Sequence, residues 1–84
     1  MGLYYITFRS VTFAQRGEKL LTQRHLRVNL MRTPRWMEEQ GCGYALKLWS
    51  EDIRHPVQIL WENRVQLRKI YRQMEDGTME EVRL

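Results

Sequence analysis

Ile53-Arg54-His55-Pro56-Val57-Gln58-Ile59-Leu60-Trp61-Glu62-Asn63-Arg64-Val65-Gln66-Leu67-Arg68-Lys69-Ile70-Tyr71 admits two parses, and the choice between them sets the architecture. A single helix from Pro56 to Met74 would place Arg64, Arg68 and Arg72 inside a broad apolar arc, a poor amphipathic pattern. Splitting the segment near Asn63 removes the conflict. Ile53, Val57, Leu60 and Trp61 then fall at i, i+4, i+7 and i+8, one helical stripe. Asn63 suits the left-handed position past a helix end. Val65 and Leu67 alternate with Gln66 and Arg68, and Ile70-Tyr71 continue a strand after a slip in alternation. The helix starts at Ile53 or at Pro56, because a residue before proline, here His55, is pushed out of the helical region. Downstream, Asp76-Gly77 is a favoured tight-turn pair. Met79 to Leu84 return as a charged edge strand.

Upstream, Tyr44, Leu46 and Leu48 alternate with Ala45, Lys47 and Trp49, which reads as a strand. Leu26, Val28 and Leu30 alternate with Arg27, Asn29 and Met31 in another, ended by Thr33-Pro34. Phe13, Gly17, Leu20, Leu21 and Arg24 share one face of a helix. Ser10 and Thr12 offer N-caps for it, Thr12 with Gln15 at capping-box spacing. Gly17 on the buried face costs about 1 kcal/mol of helix propensity, which close approach to the sheet would explain. Tyr4, Ile6 and Phe8 form the inward face of a first strand. The order is strand, helix, strand, strand, helix, strand and a hairpin extension. This predicts an α+β, ferredoxin-like split βαβ (βαββαβ) sandwich with a C-terminal β-hairpin, one domain over residues 1–84.

Composition narrows the function classes. The chain has 84 residues, one cysteine and a formal net charge of +4. A single cysteine excludes an internal disulfide framework and fits a reducing compartment. The N-terminus enters a strand-like segment at once, with no basic n-region, so the expectation is no signal peptide and a cytoplasmic location. No window is apolar enough for a membrane span. Residues 1–37 carry seven basic side chains against Glu18 alone, whereas residues 38–84 carry seven basic and nine acidic ones. Such asymmetry can mark an anionic partner, but the basic residues are dispersed, which argues against nucleic acid. Gly43-Tyr44-Ala45 with Trp49 faintly resembles an RNA-recognition signature, and fails because Lys47 falls in the set that must be buried.

Cys42 is the candidate for chemistry. It stands in Gly41-Cys42-Gly43, after Thr33-Pro34-Arg35-Trp36 and Met37-Glu38-Glu39-Gln40. Three readings of it stand side by side. It is a small half-buried residue at a turn, or a thiol left unshielded by its glycines and acidified by Arg35 and Arg32, or a metal ligand. The last lacks partners, since no second cysteine exists and His25 and His55 lack ligand spacing. No Ser/His/Asp set and no phosphate-binding glycine loop is present, which argues against a stand-alone enzyme. For Trp36 and Trp49 the choice lies between packing beneath the 33–43 segment and forming a docking face.

Phe8-Arg9-Ser10, Ala14, Glu18-Lys19-Leu20-Leu21, Val28, Thr33-Pro34-Arg35 and Cys42-Gly43-Tyr44-Ala45-Leu46 together resemble the putative Se/S carrier protein-like family over most of the chain. The Pro-Arg pair followed by Cys-Gly before an aliphatic strand is the most specific part. The resemblance implies a cysteine, Cys42, that carries sulfur or selenium as a persulfide or selenosulfide. Arg35 would supply positive potential, with Pro34, Gly41, Gly43 and Ser10 around it. It implies protein partners as donor and acceptor, and no cofactor. The alternative is a non-catalytic interaction or homo-oligomerisation module whose cysteine is structural.

Overall fold

The computed structural model describes residues 1–37 and 43–84. Five strands and two α-helices follow one another as β1 (Gly2–Thr7), α1 (Val11–Gln23), β2 (Val28–Arg32), β3 (Tyr44–Ser50), α2 (Arg54–Glu62), β4 (Ile70–Gln73) and β5 (Met79–Val82), with a 3₁₀ turn at Arg35–Met37. The fold is α+β. The strands form one antiparallel sheet in the order β2-β3-β1-β4-β5. Each helix therefore connects two parallel strands that have a third strand between them.

Period-two patterning decides which side chains meet the helices. Tyr4, Ile6 and Phe8 of the first strand, Leu46 and Leu48 of β3 and Ile70 of β4 form one buried cluster with Ala14, Leu21, Val57 and Leu60. Gly17 lies where α1, α2 and the sheet converge. A Cβ there would stand 3.2 Å from Leu46, 3.3 Å from Leu60 and 3.4 Å from Phe8, so close approach does account for the glycine. On α2 the inward stripe is Ile53, Pro56, Val57 and Leu60, with Ile59 also buried. Trp61, placed on that stripe by spacing, is instead 52% exposed, because the stripe drifts off the sheet at the helix's last turn.

Both helices end in the same way. Leu26 N–H reaches Leu21 O (3.1 Å) and Val65 N–H reaches Leu60 O (2.9 Å), while His25 and Arg64 take φ of 65° and 60°. These are Schellman ends, in which an apolar residue after the left-handed one seals the last turn. The left-handed residue after α2 is thus Arg64; Asn63 precedes it as C-cap at φ −103°. Val65 consequently belongs to the helix end and not to a strand, and β4 begins only at Ile70. The slip in alternation is a bulge: Arg68 N–H donates to Thr7 O (2.8 Å) and Thr7 N–H to Lys69 O (2.9 Å), so two residues face one.

Two further expectations change in detail. Ser10, at φ −137°, is the N-cap of α1 and accepts from Phe13 N–H at 3.1 Å. Thr12 lies inside the helix and is exposed, so its capping-box spacing with Gln15 is not used. The hairpin turn has three residues, closed by Met74 N–H to Thr78 O (2.7 Å) and Gly77 N–H to Met74 O (3.0 Å), with Gly77 at φ 89°. That is a turn followed by a left-handed glycine, the usual three-residue solution.

The edge strand β2 carries one more device. Thr33 N–H donates to Gly43 O and Trp49 N–H to Arg27 O, so the odd-numbered residues of β2 face β3 and Leu30 N–H faces outward. Glu18 of α1 accepts that outward N–H at 3.3 Å.

Candidate functional site

Cys42 and Gly41 lie outside the described residues; what flanks them is placed. Arg32 pairs with Tyr44 across the β2–β3 ladder, and Thr33 N–H donates to Gly43 O at 2.9 Å, closing the base of the 33–43 segment. Gly43 has φ 84°, a backbone that a residue with a Cβ adopts only at a cost. The glycine following Cys42 is therefore required by geometry. The Arg32 guanidinium lies 5.5 Å from the centre of the Tyr44 ring.

Residues 33–37 then turn over the helix-free face of the sheet. Arg35 and Trp36 lie in the short 3₁₀ turn, and Trp36 meets Tyr71 edge-on, ring centres 5.5 Å apart at 76°. Tyr71 pairs with Tyr5 across the ladder, and both rings are buried on this face with Leu3, Met31 and Met79 against them. Tyr5 donates its hydroxyl hydrogen to Gln73 Oε1 at 3.0 Å. Trp36 remains 55% exposed, so it both packs and presents surface. Trp49 is half-buried, with Arg27 4.8 Å and Lys47 5.4 Å from its ring centre.

Of the other site candidates, Arg35 is exposed and Pro34 half-buried. Ser10 uses its hydroxyl to cap α1. It shares the sheet end with Gly43, since Thr7 pairs with Ala45, but its observed bond is structural.

The same topology gathers charge that the chain order scatters. Arg9 follows the first strand, Arg32 and Arg35 flank the β2–β3 connection, and Arg64 and Arg68 precede β4, all at one end of the sheet. Among the described residues no carboxylate is within ion-pair distance of Arg9, Arg64 or Arg68. At the opposite end lie Glu51, Asp52, Glu75, Asp76 and Glu80, interleaved with Arg24, Arg27, Arg54 and Arg72. Two of these are held below the usual carboxylate range: Asp52 by hydrogen bonds from Arg54, and Asp76 by hydrogen bonds from Thr78. A cleft of about 780 Å³, lined by Gly2, Arg72, Glu75 and Asp76 among others, is at this end, away from Gly43. Sequence reading missed the basic end because its members come from three separate segments.

Among the described residues no group of three or more His, Cys, Asp or Glu side chains is placed to hold a metal ion, and no helix is long and apolar enough to cross a membrane.

A small antiparallel α+β domain with a tethered, cysteine-bearing connection is the class that these observations define. The chain belongs to the family described as putative Se/S carrier protein-like, whose match covers residues 3–72. No curated protein and no solved structure matches it.

Proposed function

We propose that this domain carries a sulfur or selenium atom on Cys42 and hands it from one protein to another in a reducing, cytoplasmic setting. The observation that carries the reading is the family match, which spans Cys42. The tied base of the 33–43 segment, the left-handed Gly43 and the cations Arg32 and Arg35 support it. We take β4-β1-β3-β2 as a ferredoxin-like scaffold, to which β5 adds an edge.

The chemistry needs few groups. The Cys42 thiolate attacks the outer sulfur of a donor persulfide; the donor S–S bond breaks, the donor leaves as a thiolate and Cys42 holds the persulfide. An acceptor thiolate repeats the exchange in the forward direction. Every electron pair that forms a bond is matched by one released to a leaving thiolate, so no net oxidant, cofactor or metal is required. A selenium atom in the outer position follows the same path to a selenosulfide. Positive charge nearby favours the thiolate, which is the nucleophilic form, and Arg35 is assigned that role. Pro34, Gly41 and Gly43 shape the segment.

Intact mass of protein purified without reductant, before and after incubation with a small persulfide donor, tests this. The expected result is a species heavier by one sulfur or selenium atom, removed by excess thiol and absent in Cys42→Ala. A mass that stays at the bare chain after donor treatment refutes the carrier and leaves an interaction module with a structural cysteine.

A further inference from the structure

At the basic end a cleft of about 510 Å³ opens between the end of the first strand and the α2–β4 connection, lined by Arg9, Trp61, Arg64, Val65, Gln66 and Leu67. Among the described residues no carboxylate lines it. Glu62 accepts a hydrogen bond from Gln58 at 3.3 Å, and Glu81, in a neighbouring cleft that shares Trp61 and Leu67, lies within ion-pair distance of Lys69 and Arg83. Trp61 contributes a large, half-exposed indole, and Leu67 is partly buried beside the core. Arg64 is held in place by the Schellman end of α2 and Arg68 by the bulge against Thr7. Two guanidinium groups with no ion-pair partner among the described residues, set about an indole, combine charge with an apolar anchor, the composition of interface hot spots.

We propose that this cleft docks an acidic segment of a protein partner, carboxylates on Arg9 and Arg64 and one apolar side chain against Trp61. The two guanidinium groups draw an acidic segment to the cleft, an attraction that acts over a Debye length of about 8 Å at physiological salt. A protein is favoured over single-stranded nucleic acid, because stacking along a strand needs successive aromatic platforms and only one indole lines the cleft. Assigning this partner as a donor or acceptor rests on the carrier reading; the docking itself does not need the thiol.

The test uses the full chain with Cys42→Ala, so that binding is read apart from loading. The probe is a synthetic peptide of glutamates around a single leucine, followed by ¹⁵N chemical shifts, with an oligothymidylate of equal charge as comparator. Shifts should concentrate at Arg9, the Trp61 indole and Arg64 to Leu67. Affinity should fall at least tenfold in Arg9→Glu combined with Arg64→Asn, asparagine being chosen because it tolerates the left-handed backbone, and also in Trp61→Ala. Arg24→Glu, at the other end, should bind as the parent does. Absence of binding, shifts centred on Trp49 and Arg27, equal binding of the oligothymidylate, or an unchanged affinity in the double variant each overturn the proposal. Loading of Cys42 by the small persulfide donor, which needs no docking, should match the parent in the Arg9 and Arg64 variants, so failure of docking and failure of the carrier reading are told apart.

Discussion

Replacing Gly17 by alanine sets two effects of known size against each other. A helix interior gains about 1 kcal/mol when alanine replaces glycine. Against that, the new methyl would stand 3.2 Å from Leu46 Cδ1, 3.3 Å from Leu60 Cδ2 and 3.4 Å from Phe8 Cζ, and all three side chains are fully buried. The contacts come from β3, α2 and the end of the first strand, so no single rotamer change relieves them all, and buried neighbours on more than one element must give by a few tenths of an ångström. Overpacking of this kind costs about 1–3 kcal/mol. The net expectation for Gly17→Ala is a loss between zero and about 2 kcal/mol, and each kcal/mol corresponds to about 4–8 °C in Tm for a domain of this size. Gly17→Val adds volume and gives up helix propensity, for a loss of about 3 kcal/mol or more. Urea melts of the three proteins, followed by circular dichroism, measure both changes. A Gly17→Ala protein more stable by the full propensity gain, with valine neutral, would refute the close-packing account.

Ser10→Ala should lose about 1 kcal/mol through the missing N-cap, whereas Thr12→Ala should be neutral; thermal melts of the pair separate the observed cap from the one suggested by spacing. Asp52 titrates below its ordinary value because Arg54 bonds its ionised form. Between its folded and unfolded pKa values the unfolded chain binds more protons, so this contribution is present above the ordinary carboxylate pKa and fades as pH falls through the lowered one. The Tm difference between parent and Asp52→Asn should accordingly be seen at neutral pH and vanish in strong acid; a difference that persists there would contradict the assignment.

Much of the scaffold was legible because its determinants are local. Tyr4, Ile6 and Phe8 declare their face by alternation, and Gly17 announces a close approach because nothing else justifies glycine there. The break near Asn63 was legible from the arginines that a continuous helix would bury. Its details were not: sealing the helix with Val65 and bulging at Arg68 both depend on bonds to Leu60 and Thr7, and no periodicity encodes those partners. The position of Trp36 over the sheet was hidden for the same reason, since it meets Tyr71 only after four strands have paired. For the candidate site, the sequence singled out Cys42, Arg35 and Gly43. The description around them establishes the tied base and the left-handed glycine, while Cys42 itself lies outside the described residues. Arg9 and Arg64 were invisible as neighbours because chain order separates what topology joins.

The carboxylate of Glu18 on the outward amide of Leu30 has a consequence for symmetry. A sheet can grow head to tail, edge upon opposite edge, only if both rims are open to pairing. With that amide satisfied within the molecule, the β2 rim is a poorer template for a neighbouring strand. A contact between two β5 rims would instead be its own complement and would close after two copies. The helix side chain thus weighs against filaments built edge upon opposite edge, while a dimer remains geometrically allowed.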